Sequence, residues 1–365
     1  MDATIHRARS RPRGCQLPLD LQIEITGRTD PATVVRCAAT CKALYRHIAD
    51  PAFHGCLRLR NNGRLIRALL VDNATRRATN LLKNREGTTV TAGGGLVLLR
   101  VHDGLCVCSL ATGQRQALPP GPPFRRDFTY VLVVGDGAGS TVGRPFQVLR
   151  INPSFIPQRG ECCLRIQKFS SEKGAWSPVT DVLTPFRHGS SGLRRQAHYL
   201  VIGDTVHWLC YTDNSYYVLK LHTGGQARVT IMELPPSFQR VSHFIRTAQI
   251  LLATETAEGS PVVLVANNDM IWSWLPSKLT TDWKERPQLA KVKGLTTESL
   301  GRVRLEWFAQ MSGVVVIGTP HCGFFWLDLG SREVFGWSKS CRNGYPTCLY
   351  EIELSSWVPS LCKTF

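Results

Sequence analysis

Acidic side chains are scarce in this sequence: 27 Asp and Glu stand against 44 Lys and Arg, a formal net charge of +17 over 365 residues. So few carboxylates give little support to a paired-carboxylate catalytic site. No apolar run approaches the roughly 20 residues that a membrane-spanning helix needs. GLVLLRV (95–101) and SGVVVIG (312–318) are strand-sized, and no membrane partner is expected. The opening MDATIHRARSRPRG has no apolar h-region, so a secretory signal is not expected. The 13 cysteines are then expected as reduced thiols in the cytoplasm and/or nucleus, and an odd number argues against a complete disulfide framework. There is no CxxC pair of zinc spacing and no nucleophile elbow G-x-S-x-G. GDGAG (135–139) lacks the spacing of a phosphate loop and is followed by a strand, so a hairpin loop is expected there. Gly93-Gly94-Gly95 reads as a tight turn. Neither catalysis, a metal nor a cofactor is expected of this chain.

The positive charge could serve nucleic acid, an acidic partner or an anionic surface. The arginines are scattered, with short clusters such as Arg125-Arg126 and Arg194-Arg195, and no zinc-finger, homeodomain or RNA-recognition pattern accompanies them. An ordinary basic surface is the favoured reading, acidic protein partners come next, and nucleic acid is not expected. Residues 1–16, where Arg7, Arg9, Arg11 and Arg13 alternate with small residues and proline, read as a flexible basic tail.

Helix signals concentrate in residues 17–53, LPLDLQIEITGRTDPATVVRCAATCKALYRHIADPAF. Pro18 suits a first helical turn, and Leu21 and Ile25 fall on one face at i, i+4. Asp30-Pro31 reads as an N-cap followed by proline at N1, with Val34, Val35 and Ala38 on the apolar side. Thr40 is placed to cap a third helix, in which Cys41, Leu44, Tyr45 and Ile48 recur with helical period. Asp50-Pro51 ends it. A unit this small cannot bury all its apolar side chains alone, so some of that surface should meet another protein or the rest of the chain.

Leu17-Pro18, Asp20-Leu21, Glu24-Ile25, Arg28, Asp30-Pro31, Val35-Arg36, Cys41-Lys42, Ile48 and Asp50-Pro51-x-Phe53 resemble an F-box in order and spacing. Thr26 and Thr29 stand where that family usually has leucines, and Leu44 where an aromatic is common. The resemblance implies a three-helix domain over 17–60 that docks a Skp1-type adaptor, and through it a cullin and a RING subunit. Leu17, Pro18, Leu21, Ile25, Val35, Cys41, Leu44 and Ile48 are the expected docking residues.

From residue 61 onward, short apolar runs alternate with Gly, Pro, Asn and Asp, which is a strand pattern. RLIRALLV (64–71) comes first. GLVLLRV, LCVCSL (105–110), TGQ and ALPP form a strand–turn–strand unit. TVHWLCY (205–211), YYVLKL (216–221), TGG and ELPP repeat it, as do GVVVIG, GFFWLDL (323–329), GSRE and VFGWS (334–338). Related units are YVLVVGD (130–136), FQVLRI, CCLRIQKF and SSEKGAW, and QILLATE (249–255), PVVLVAN and MIWSWLP. A spacing of about 50 residues is that of four-stranded propeller blades, and residues 61–365 hold roughly six at that period. The expected fold is mostly β: a small helical F-box followed by a β-propeller of about six blades, with a β-sandwich-like all-β domain as the alternative. The strand–TGQ–LPP unit resembles the C-terminal domains of plant F-box proteins, many of them kelch-like or related propellers.

Period two places Cys106 and Cys108 on one strand face, expected in a blade core, and sends Cys162 and Cys163 to opposite faces. Cys37 and Cys41 read as small core residues. His198, His207, His222 and His243 are spread over different strands. Most of the tryptophans should pack between blades, leaving a minority for a recognition face. The expected function is a non-catalytic substrate receptor of an SCF-type ubiquitin ligase, holding an unknown target protein on the propeller. The alternatives are a basic nucleic-acid or acidic-partner binding module without a ligase role and, last, an enzyme on a propeller scaffold.

Overall fold

A computed structural model describes residues 17–53 and 87–338 together with Glu351, apart from positions 30, 39, 49, 51–52, 102–103, 110–113, 125–127, 136–141, 157–160, 185–198, 212–215, 226, 236–237, 239–249, 255–258, 268–269, 277–282, 292–302, 311–312 and 320–322. The basic tail, the run 64–71 and the arginine pairs at 125–126 and 194–195 lie outside the described residues.

Three helices come first: α1 (Leu19–Gly27), α2 (Pro31–Ala38) and α3 (Lys42–Ile48). Proline begins α2, as its missing N–H and preset φ favour. Pro18 lies one position outside α1 as its N-cap, extended at φ −50°, ψ 145°, and its carbonyl accepts the first bond, from the Gln22 N–H at 3.1 Å. The third helix is capped differently from expectation. The Thr40 hydroxyl turns back to donate to the Cys37 carbonyl at 2.7 Å. The N-cap is Cys41, whose thiol sulfur accepts the Leu44 N–H at 3.4 Å while its carbonyl accepts the Tyr45 N–H at 3.0 Å.

The remainder is sheet. Four strands, β1 (Gly87–Gly93), β2 (Leu96–Val101), β3 (Gly104–Cys108) and β4 (Arg115–Leu118), form blade 1. Blade 2 comprises β5 (Thr129–Val134), β6 (Phe146–Ile156), β7 (Glu161–Ser170) and β8 (Ala175–Trp176), with β9 (Thr180–Thr184) paired to β7 as a fifth strand. Blade 3 is β10 (Tyr199–Ile202), β11 (Thr205–Tyr211), β12 (Tyr216–His222) and β13 (Arg228–Glu233). Blade 4 is β14 (Ile250–Thr254), β15 (Pro261–Asn267), β16 (Met270–Pro276) and β17 (Trp283–Lys291), and blade 5 is β18 (Arg304–Ala309), β19 (Val314–Thr319), β20 (Gly323–Asp328) and β21 (Glu333–Ser338). Every pairing is antiparallel between neighbours in sequence, except that β9 skips β8.

The fold is therefore mostly β with a small helical region and a propeller-like arrangement of blades, not a sandwich. Blades number five among the described residues rather than about six. The long β6–β7 hairpin and the added β9 enlarge blade 2.

Blades pack in chain order. Leu98, Val107 and Leu118 of blade 1 share a core with Leu132, Val148 and Phe169 of blade 2. Leu149 and Leu164 join Trp208 and Leu219 of blade 3. Val218 of blade 3 meets Leu252 and Trp274 of blade 4, and Leu264 of blade 4 meets Ile317 of blade 5. Strands covered on both faces need no polar alternation, which is why β14 and β19 are buried at every position. First strands converge. The Tyr199 hydroxyl, at the start of β10, bonds to Thr91 Oγ1 of β1 and accepts the Leu132 N–H of β5 at 3.4 Å. Gln310, just after β18, donates its side-chain amide to the Val201 carbonyl of β10. Blades 1, 2, 3 and 5 thus meet through their leading strands, as radial packing requires.

The expected tight turn is present: Gly93 pairs with Leu96, and Gly94 and Gly95 carry positive φ of 53° and 77°, the two-residue hairpin geometry that glycine permits. The flanking strands β5 and β6 pair antiparallel; GDGAG beyond Gly135 lies outside the described residues.

Candidate functional site

Helix α1 is apolar on two sides. Leu19 and Ile23, at i, i+4, pack against a core of Val34, Ala38, Leu44 and Ile48 drawn from α2 and α3. Two positions along, Leu21 and Ile25 repeat that spacing on the other side and are 46% and 51% exposed. Leu17, 50% exposed, sits one turn before Leu21, beside the exposed Pro18. The three-helix unit thus closes its own core and still shows an apolar stripe. An exposed stripe of this kind on a small helical unit marks a docking surface more often than it marks solvent-facing decoration.

The stripe is held in shape from the backbone outward. Gln22 Nε2 donates to the Leu17 carbonyl at 2.6 Å, fixing the residue that precedes the helix. Thr26, 2% exposed, donates its hydroxyl to the Gln22 carbonyl at 2.7 Å, and Thr29 donates to the Thr26 carbonyl at 2.8 Å. Local hydroxyl-to-carbonyl bonds of this kind let threonine occupy the places where leucine is usual, because no buried hydroxyl is left unmatched. Arg28 and Glu24 form an exposed ion pair one turn apart on α1. Arg36, Lys42 and Arg46 are exposed on the other two helices.

The eight expected docking residues divide. Leu17, Pro18, Leu21 and Ile25 lie together on the exposed side of α1. Cys41 is exposed and is a helix cap instead of a core residue. Leu44 and Ile48, 5% and 0% exposed, fill the unit's own core and can support a docking surface only through the helices they hold. The side chain of Val35 lies outside the described part. Helical period alone does not distinguish a core face from a docking face, and the expected set therefore spans both.

Elsewhere the polar chemistry is local. Cys106 and Cys108 lie on one face of β3 as expected, packed with Val97 and Leu99. A hydrogen bond from Cys108, aided by Arg115, draws the Cys106 thiol below its ordinary range, and the same bond with burial pushes Cys108 up. Cys163 is buried on the β7 face; the side chain of Cys162 is not described. His207 and His222, distant in sequence, share one face of blade 3, where His207 pairs with Lys220 and His222 with Thr205 across β11 and β12. Burial foremost, then Lys220, lowers His207 to about 4. Among the described residues no group of three or more His, Cys, Asp or Glu stands close enough to hold a metal. Trp208, Trp274 and Trp326 are buried in blade cores, as expected of most tryptophans.

A family model described as a domain of unknown function (DUF7595) matches residues 84–363, and one described as F-box-like matches residues 15–60. No curated protein matches the chain. Among solved structures, an oligogalacturonate lyase in complex with manganese is 8% identical with a TM-score of 0.38, covering 73% of this chain and 69% of that one. AztD of Citrobacter koseri is 13% identical with a TM-score of 0.31, covering 72% of this chain and 61% of that one. Likenesses this distant carry no chemistry across to this chain.

Proposed function

This chain belongs to the DUF7595 family and carries an F-box-like domain ahead of it, and we propose that it is the substrate receptor of an SCF-type ubiquitin ligase. The observation that carries the reading is the uncovered stripe of Leu17, Leu21 and Ile25 on a helix whose other side already completes a core. A Skp1-type adaptor covers that stripe and, through a cullin and a RING subunit, brings a charged E2 near. The propeller-like domain holds the target. The chain performs no bond chemistry itself; it raises the local concentration of target lysines around the E2. Arg36, Lys42 and Arg46, exposed on the docking unit, suit an acidic adaptor and speed the encounter more than they tighten it.

Co-expression with a Skp1-type adaptor tests the reading. The wild-type chain should co-purify with it, and Leu21→Asp with Ile25→Asp should abolish capture while the unfolding midpoint stays put. Retained capture by the double variant sinks the proposal, and so does a wild-type chain that never binds.

A further inference from the structure

Between blades 1 and 2 the chain crosses on Leu118-Pro119-Pro120-Gly121-Pro122-Pro123-Phe124. Four prolines fix their own φ near −65°, and each residue that precedes a proline is pushed out of the helical region. Leu118, Pro119, Gly121 and Pro122 all precede one. The stretch after β4 belongs to no strand, and these steric limits favour the polyproline II conformation, a left-handed helix of three residues per turn.

Burial follows that period of three. Leu118 is buried, Gly121 and Phe124 are half-buried, and Pro119, Pro120, Pro122 and Pro123 are all exposed. One edge of a three-edged helix is therefore turned to the protein and two edges face out. The inward edge is clamped. Trp176 Nε1 donates to the Pro119 carbonyl at 2.9 Å, and Arg150 Nη1 donates to the Pro122 carbonyl at 3.4 Å, two acceptors one full turn apart. The Arg150 guanidinium lies 4.1 Å over the Trp176 ring and within 6 Å of the Phe128 and Tyr130 centroids, at 5.8 Å and 5.9 Å. Phe124 meets Phe128 edge-on at 5.4 Å. Gly121 allows the approach: a Cβ there would stand 2.5 Å from Arg150 Nη1.

We propose that residues 119–123 are a preformed ligand for a proline-groove module of the SH3 type. Such a module has an aromatic-lined groove that receives a Pro-x-x-Pro helix. Here Pro120 and Pro123 have that spacing, each preceded by another proline, and the two exposed edges are the ones a groove needs. The clamped edge is the one it leaves to solvent. Because the clamp has already ordered the segment, docking forgoes most of the ordering cost that a free peptide meets. This surface uses none of the residues that carry the adaptor reading.

The test uses the full-length chain against a panel of purified SH3 domains, with WW domains and profilin alongside. An SH3 domain should be retained. Pro120→Ala with Pro123→Ala should weaken it at least tenfold without moving the unfolding midpoint, since neither ring is buried. A synthetic peptide of residues 116–126 should compete for the same domain at least tenfold less well than the intact protein. Arg150→Lys, which keeps the charge but loses the flat stack, should bring the protein toward the peptide's affinity. Retention by WW domains or profilin alone overturns the SH3 assignment. An SH3 panel that retains nothing, or binding indifferent to the double proline variant, overturns the proposal itself.

Discussion

Ile23 and Ile25, two residues apart on α1, look in opposite directions: Ile23 packs on the α2–α3 core and Ile25 is 51% exposed. One short helix therefore has a packed side and an exposed apolar side, and substitutions along it should separate stability from the proposed adaptor capture. Ile48→Ala removes a side chain that is fully buried in the same core and should cost about 2–5 kcal/mol in the helical unit. Adaptor capture should fall with it, in proportion to the unfolded fraction. Ile25→Ala should leave stability within about 0.5 kcal/mol while weakening capture. Thermal unfolding and capture measured on both variants check the split.

Blade 1 supplies a test of backbone strain. Gly94 has φ of 53°, and a Cβ there would lie 2.7 Å from Cβ of Val134 on blade 2. Gly203 has φ of 57° with nothing within 4 Å of a built Cβ. Gly203→Ala should cost about 1–2 kcal/mol, from conformation alone. Gly94→Ala should cost at least about 1 kcal/mol more, because the clash is with a β-branched atom fixed on a strand. Denaturant unfolding of the two variants gives the difference.

His207 makes stability depend on pH. Burial holds its folded-state value at about 4, below the ordinary 6.5, so the unfolded chain binds the proton more readily. Its contribution is complete above pH 6.5 and is lost as pH falls from there through about 4. The whole effect is on the order of 3 kcal/mol. Its Nδ1 has no hydrogen-bond partner among the described residues, so a polar amide gains nothing by keeping that atom and His207→Leu is the cleaner probe. Wild type should lose stability between pH 6.5 and 4.5 more steeply than His207→Leu, measured by urea midpoints at each pH.

Cys106 should be the first thiol of blade 1 to react. Its partner Cys108 and Arg115 favour its thiolate, and nucleophilic thiols are thiolates. Alkylation followed by mass spectrometry should show Cys106 labelled ahead of Cys108, with a rate profile inflecting at lower pH than an ordinary cysteine. Cys108→Ala should move that inflection upward. Equal labelling of both thiols contradicts the arrangement.

Much of the sheet was legible in the chain. GLVLLRV and LCVCSL are β2 and β3, TVHWLCY and YYVLKL are β11 and β12, and GVVVIG and GFFWLDL are β19 and β20. Those strands are covered on both faces, so their apolar runs stand out. The leading strands of blades 1 and 3 were harder to see. GTTVTAG of β1 and YLVI of β10 are short or rich in small and polar residues, because near the centre Thr91 and Tyr199 bond across blades instead of filling a core. Leu21 and Ile25 share one face of α1, as their spacing indicates, and are exposed, yet Leu44 and Ile48 have the same period and face inward. Nothing in a helical repeat says which neighbour an apolar face will meet. Cys41 was missed as a cap because sulfur is a weak acceptor seldom found there.

Each of the five described blades is an uninterrupted stretch of polypeptide, and none of its strands is borrowed from another. A ribosome delivering this chain from its N-terminus can therefore release one finished sheet at a time, each landing on the one just completed. Loop closure stays cheap at every stage, and the apolar faces exposed at any moment are limited to those of the newest blade. Truncations placed at 190 or 240 should accordingly leave compact, protease-resistant fragments, whereas cuts inside a blade should not.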